Sequence, residues 1–278
     1  MRRLLIVNAD DLGLHEDINR GIYLAHTQGI VTSASLVACG EAFDHAITMV
    51  RGCRDLDLGV HLTLVDERPL SPPETVPTLV GPEGRFASTY RQFATRVLMG
   101  LVSPAEIYRE LRAQVERVME TGRAPSHLDS HQHVHLLPSV WRVTRELARQ
   151  YGIRWIRVPH FQSLVRSPRS LLDPVFRLGL NILSASATGL SSERDWRIQT
   201  IGLHLSGRLG EHDLLRLTTR LHPGISEIVT HPGVKTPALA ARYRWDYQWS
   251  MELAALTSLR INSIIRSDGV SLTRFSDC

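Results

Sequence analysis

Short apolar runs alternate with amphipathic stretches along the whole chain. Runs at residues 4–8, 33–38, 58–64, 126–129, 155–158, 199–203, 227–230 and 263–265 predict strands. Between them, the patterns at 16–28, 41–51, 103–120, 138–151, 211–221 and 238–258 predict helices. The start Ser103-Pro104-Ala105-Glu106 has a capping serine, proline at the first helical position and an acid in the first turn. Strand–helix alternation at this spacing predicts an α/β fold with a mainly parallel sheet and helices outside. About eight such units in one chain favour a single (β/α) barrel over an open sheet, TIM-like with room for distortion. Two stretches interrupt the pattern. Residues 69–85 are rich in Pro and Gly and predict a surface loop. Residues 163–194 predict an inserted helix with loops, centred on the apolar stretch 171–183. Neither is long or polar enough to form a second domain, so one domain is expected over 1–278.

Composition narrows the class. The chain has 278 residues, 43% hydrophobic and 22% charged, which is ordinary for a globular protein and ample for a core without staples. The net charge of +4 is carried almost wholly by arginine, spread without a long basic run, so nucleic acid is not an expected partner. Three cysteines, Cys39, Cys53 and Cys278, form no CxxC pair, which predicts a reduced, cytoplasmic chain. The apolar run after Met1-Arg2-Arg3 is too short for a signal peptide, and no run is long enough to span a bilayer. Peripheral membrane contact and homo-oligomerisation stay open.

Histidine changes the picture most. Of thirteen in the chain, four fall within nine residues in His127-Leu128-Asp129-Ser130-His131-Gln132-His133-Val134-His135. In an extended chain His127, Asp129, His131, His133 and His135 share one face. If the strand ends near Asp129, His127 and His131 can still converge on one ion. A lone histidine beside an apolar run is more often a hydrogen-bonded core residue. Four with an aspartate would crowd if neutral and repel if charged, and a divalent cation relieves both. The members that do not bind the ion would orient those that do. Elsewhere, Asp10 and Asp11 follow the run 4–7, His61 sits in an apolar strand, Arg157 follows another, and His231 precedes Pro232-Gly233. Each polar group lies near the carboxyl end of a predicted strand, where parallel α/β folds assemble active sites. Alone, the Asp pair fits a turn and helix cap equally well, and His61 fits a packed core position. No G-x-S-x-G, P-loop or H-E-x-x-H pattern occurs.

Together, Asn8-Ala9-Asp10-Asp11-Leu12-Gly13, Thr32-Ser33-Ala34-Ser35, Gly59-Val60-His61, the His127–His135 run and Glu227-Ile228-Val229-Thr230-His231-Pro232-Gly233 resemble the YdjC-like carbohydrate deacetylases. That family includes chitooligosaccharide and hopanoid-associated deacetylases. The motifs span residues 1 to about 265 in family order. The resemblance implies a barrel related to the polysaccharide deacetylases with one divalent ion. Its ligands would be Asp11, His61 and His131, with His127, Asp129 and His133 as supporting or alternative ligands. Asp10 would be the general base, His231 the general acid and Arg157 the support of the catalytic aspartate. Family members are described with magnesium, whereas two imidazoles and a carboxylate suit zinc, so the metal is open between them.

The implied activity is removal of an N-acetyl group from an acetamido sugar, in an oligosaccharide or glycolipid, giving acetate and a free amine. Two rivals remain at this level. A barrel-type metal-dependent phosphoesterase also clusters His and Asp, usually around two or three ions. A carbohydrate- or lipid-binding protein would hold a structural ion in a closed ligand shell.

Overall fold

The computed structural model describes residues 2–159, 174–189 and 198–278. Its strands are β1 (Arg3–Leu12), β2 (Ser33–Leu36), β3 (Asp57–Leu62), β4 (His127–Ser130), β5 (Trp155–Ile156), β6 (Gln199–Ile201), β7 (Gly224–Thr230) and β8 (Val270–Leu272). Outside them lie α1 (Glu16–Thr27), α2 (Phe43–Val50), α3 (Tyr90–Leu98), α4 (Pro104–Met119), α5 (Pro138–Gln150), α6 (Pro174–Gly189), α7 (Glu211–Thr218), α8 (Pro237–Arg242), α9 (Trp249–Leu256) and α10 (Leu259–Ser267). These strands pair in parallel throughout, in the order β5-β4-β3-β2-β1-β7-β6, with β8 beside the start of β1.

β1 is the central strand. Its apolar residues Leu5, Ile6, Val7 and Ala9 are fully buried because helices cover one face and the sheet's own concavity the other. Parallel neighbours need long crossovers, and the amphipathic helices supply them. The helices α1, α4 and α5 turn Ile18, Ile22, Leu111, Val115, Val140 and Leu147 inward, which joins them to one continuous core.

The expected TIM-like barrel, with its room for distortion, is a curled half-barrel rather than a complete one. Among the described residues no hydrogen bonds join β5 to β6, which remain the two edges. Curling is nonetheless strong. β5 and β7 are five strand spacings apart, roughly 24 Å in a flat sheet. Arg157, directly after β5, nevertheless donates to Glu227 of β7 at 2.8 Å. The chain's end fills the other mouth: Trp155 Nε1 donates to the Phe275 carbonyl, and Ser276 is held by Asp57.

Three further sequence expectations change. Residues 263–265 lie inside α10, not in a strand; the last strand is β8, five residues later. Three apolar residues at 261, 264 and 265 fit the inner face of a helix as well as a short strand, and length decides between them. The helix expected over 238–258 is two helices, α8 and α9, because the alternating aromatics between them form an extended wall. α3 was not foreseen. The loop expected over 69–85 is present, carrying only a single helical turn at Pro73–Thr75. Of the 163–194 insert, residues 163–173 and 190–194 lie outside the described residues, and the rest is α6, with Leu183 against the core and Leu178 and Ile182 exposed.

Gly21 on α1 matters for function because it meets Gly233, just after His231. A Cβ at Gly21 would overlap the Gly233 backbone, and Val234 N donates to Asp17 O of the same helix. Gly21→Ala should therefore destabilise the fold by about 1–3 kcal/mol, the cost of overpacking, despite alanine's better helix propensity. Urea denaturation measures this; a variant as stable as wild type would show that the loop yields freely.

Candidate active site

Strand ends bring the chemistry together. Asp10 and Asp11 end β1, His61 lies near the end of β3, Asp129 near the end of β4, and His131 directly follows β4. Arg157 follows β5, and His231 follows β7. The β1 end departs from regular strand geometry: its register with β2 shifts between Ala9 and Leu12, and Asp11 has a left-handed backbone, φ 71°. That twist turns two adjacent carboxylates to different partners.

Asp10 faces Arg157 through two hydrogen bonds, Nη1 to Oδ2 at 2.7 Å and Nη2 to Oδ1 at 2.8 Å. Asn8 Nδ2 also donates to Oδ1. Asp11 Oδ1 lies 3.0 Å from His131 Nδ1 and 3.4 Å from His61 Nε2. His61 Nδ1 donates to Asp129 Oδ1 at 2.8 Å, so its Nε2 is left as the lone-pair side of the neutral ring. That lone pair points at a carboxylate oxygen. Two electron-pair donors this close need a cation or a proton between them.

Electrostatics say the same. Burial would lower the pKa of His61, but the charges of Asp129 and Asp10 and hydrogen bonds to Asp11 and Asp129 push it up to about 10. Burial would raise Asp11, yet the charge and hydrogen bond of His131, with those of His61, hold it well below the usual carboxylate range. The atoms offered by Asp11, His61 and His131 all lie within 4.8 Å of one another, are buried, and fit a divalent cation. Asp10, His61 and Asp129 form a second acid–histidine group by distance. That space is filled, because Arg157 Nη1 sits 2.7 Å from both Asp10 and Asp129.

The remaining histidines of the run separate. β4 ends at Ser130, and Gln132 and His133 are both left-handed (φ 54° and 56°), so the five-residue shared face does not exist. His127 is fully buried, stacked on Phe275 and bonded through Nε2 to Ser35 Oγ at 3.0 Å. Ser35 in turn donates to Asp129 Oδ2. A Cβ at Gly59 would overlap the His127 ring, which explains the glycine beside His61. His135 is used by Ser130 and the Arg157 carbonyl. His133 lies on the cavity wall with Nδ1 buried and unpartnered.

A cavity of about 540 Å³ opens above these groups. Asp10, Asp11, His61, His131, His133 and His231 all line it, with Trp245 and Tyr247. The rings of His131 and Trp245 are 5.3 Å apart, those of Trp245 and Tyr247 5.5 Å, and those of Tyr247 and His231 5.1 Å. His231 is placed by α9: its backbone N–H donates to buried Glu252, which also accepts from Leu209 N.

Sequence reasoning missed Glu227, Ser35, Glu252 and the aromatic wall. Tyr243, Trp245, Tyr247 and Trp249 recur at every second position, a signal that the stretch is extended rather than helical. Glu227 is the lone carboxylate in an apolar strand and answers the lone arginine after β5. Glu252 gives no local signal, since its partners are backbone groups distant in sequence.

Parallel strands thus end in an acid–histidine group that could hold a metal ion, beside one cavity of an α/β protein. Its family follows from comparison. The family model described as YdjC-like protein matches residues 4–267, and the chain belongs to that family. It is 33% identical to a carbohydrate deacetylase of Brevibacillus brevis over 276 residues, covering 98% of each chain. It is 31% identical to a Homo sapiens carbohydrate deacetylase, covering 99% of this chain and 91% of the other. Over 154 residues it is 40% identical to a chitooligosaccharide deacetylase of Escherichia fergusonii, covering 55% of this chain and 58% of that one. The crystal structure of an Enterococcus faecalis V583 protein named for cellobiose-phosphate cleavage superposes with a TM-score of 0.80 at 26% identity, covering 100% and 99% of the two chains.

Two buried histidines make the fold acid-sensitive. Burial pushes His127 and His135 each down to about 4 from an ordinary 6.5. The unfolded chain therefore takes up their protons first. Their stabilising contribution is complete above about pH 6.5 and drains as pH falls toward 4, up to about 3 kcal/mol for each. Urea midpoints should fall over this window, and less steeply in His127→Gln. Equal slopes in the two proteins would remove His127 from the acid response.

Proposed function

We propose that this protein is a metal-dependent carbohydrate N-deacetylase, hydrolysing the acetamide of an N-acetylglucosamine-containing oligosaccharide or glycolipid. The observation that carries the reading is the meeting of Asp11, His61 and His131 at one point, with Asp10 and His231 lining the same cavity. The names of the relatives support the substrate class. A divalent ion held by Asp11, His61 and His131 would polarise the amide carbonyl and acidify a water. Two imidazoles and one carboxylate favour zinc or another late first-row ion over magnesium.

The chain's own groups do the rest. Asp10 lines the cavity; its Oδ1 accepts two donors and Oδ2 one, so Oδ2 keeps a lone pair that would take the proton of the attacking water. Arg157 compensates the charge of Asp10 and fixes its plane. The water oxygen bonds to the acyl carbon, the C–N bond breaks, and His231 gives its proton to the departing nitrogen. Acetate and a free amine result. Occupation of the second acid–histidine group by Arg157 speaks for one ion, against the two or three usual in barrel-type phosphoesterases. All three cysteines are free, in keeping with a cytoplasmic setting. None of the described helices is long and apolar enough to cross a membrane.

The two adjacent aspartates should part company on mutation. Asp10→Asn should keep the ion and the fold and lose about 10²–10⁴-fold in turnover. Asp11→Asn and His131→Ala should lose metal affinity as well. Metal analysis with an acetate-release assay checks both; full metal content in His131→Ala would overturn the ligand set, and near wild-type turnover in Asp10→Asn would remove it from the chemistry.

Substrate choice can be tested on α6, whose Leu178 and Ile182 are exposed. If α6 forms an apolar lid for a glycolipid, replacing both by serine should lower turnover of an alkyl N-acetylglucosaminide and spare the soluble dimer of N-acetylglucosamine. Equal effects on both substrates would refute the lid.

A further inference from the structure

Within the His127–His135 run, nearly every polar side chain has a partner. His127 is held by Ser35, Asp129 by His61 and Arg157, Ser130 and His135 by each other, and His131 by Asp11. Gln132 accepts the N–H of Tyr90 through Oε1, which ties this turn to the start of α3. His133 is the exception. Its Nδ1 is buried without a hydrogen-bond partner, a state that costs about 1–3 kcal/mol when nothing fills it.

The backbone is strained at the same place. Gln132 and His133 are consecutive left-handed residues with ψ 25° at each, and neither is glycine. Each such residue costs on the order of 1 kcal/mol. For Gln132 the strain is offset by the bond to Tyr90. For His133 no hydrogen bond to Nδ1 offsets it among the described residues; its ring meets only the edge of the His135 ring, with centroids 6.5 Å apart. The left-handed turn does one visible thing for His133: it removes the side chain from the strand's face and sets it on the cavity wall beside Thr89, Tyr90 and Arg91. His133 also lies outside both acid–histidine groups that could hold an ion.

We propose that His133 is a substrate-binding residue, whose imidazole hydrogen-bonds a sugar hydroxyl next to the acetamide, and that it is not a metal ligand. The proposal rests on the carbohydrate reading of this site. Nδ1 is closed off from the cavity, so the bond is made through Nε2, and a hydroxyl suits it because it can donate or accept, whichever ring nitrogen of His133 carries the proton. The wall formed by α3 and the turn after β4 would then hold the sugar, while the β1, β3 and β4 ends face the acetamide.

The left-handed backbone gives a clean test, since glycine there removes the side chain without strain. His133→Gly should fold as stably as wild type or better, and His133→Asn should keep both the backbone preference and a hydrogen-bonding group. The measurements are metal content, thermal midpoint, calorimetric binding of the N-acetylglucosamine dimer and of octyl N-acetylglucosaminide, and acetate release from each. His133→Gly should keep its single metal equivalent and its thermal midpoint. Its Kd and KM should rise about 3–10-fold, the loss of one neutral hydrogen bond, with kcat within about twofold. His133→Asn should recover part of the loss in KM. Loss of metal from His133→Gly would make it a ligand and overturn the proposal. Unchanged Kd and KM, or a fall in kcat alone, would overturn it too. If wild type binds these sugars but releases no acetate, the deacetylase reading fails and the binding comparison still decides the role of His133. If wild type binds neither sugar, both fail.

Discussion

One buried cation governs this site. The Arg157 guanidinium is fully buried and touches three carboxylates on three separate strands, Asp10, Asp129 and Glu227. Burial alone would make it easier to deprotonate; the three acids outweigh that and raise its pKa well above the usual value. The converse holds for the acids. Removing one partner of such a cluster typically costs about 3–5 kcal/mol, because the remaining charges stay buried without compensation. Arg157 also joins the edge of the half-barrel to its centre, where no backbone ladder does. The curl of the sheet and the charge balance of the site thus depend on the same side chain.

From that anchor the roles of neighbouring acids divide. Asp10 is held rigidly by the guanidinium with one lone pair to spare. Asp129 is held too, and uses its other oxygen to orient His61, so that the lone pair of His61 faces Asp11. Among the described residues Asp11 has no arginine beside it, and its negative charge is met by imidazoles. This division gives two aspartates adjacent in sequence different partners, and the left-handed backbone at Asp11 turns the second carboxylate away from the first.

Much of the site could be read from residue types and spacing. Asp10, Asp11, His61, His131, Arg157 and His231 each follow or end an apolar run, and strand ends are where a parallel sheet gathers its chemistry. The histidine run was the weaker inference. Parity along an extended strand put His133 and His135 beside His131, yet the strand stops at Ser130. Hydrogen bonds to Ser130 and to the Arg157 carbonyl take His135 away, and no local pattern encodes a partner that lies on another strand.

Hydrophobic periodicity by itself determined the alternating strands and helices, the parallel sheet and the strand ends that carry reactive groups, because these follow from local burial patterns of period two and 3.6. It could not determine whether the sheet closes, since closure depends on pairing between the two edges and not on any one segment. Nor could it assign Glu227, Glu252 and Ser35, whose partners lie between 21 and 94 residues away. Only the tertiary structure decided those, because a buried charge or hydroxyl takes its role from whichever group the fold places within hydrogen-bonding distance.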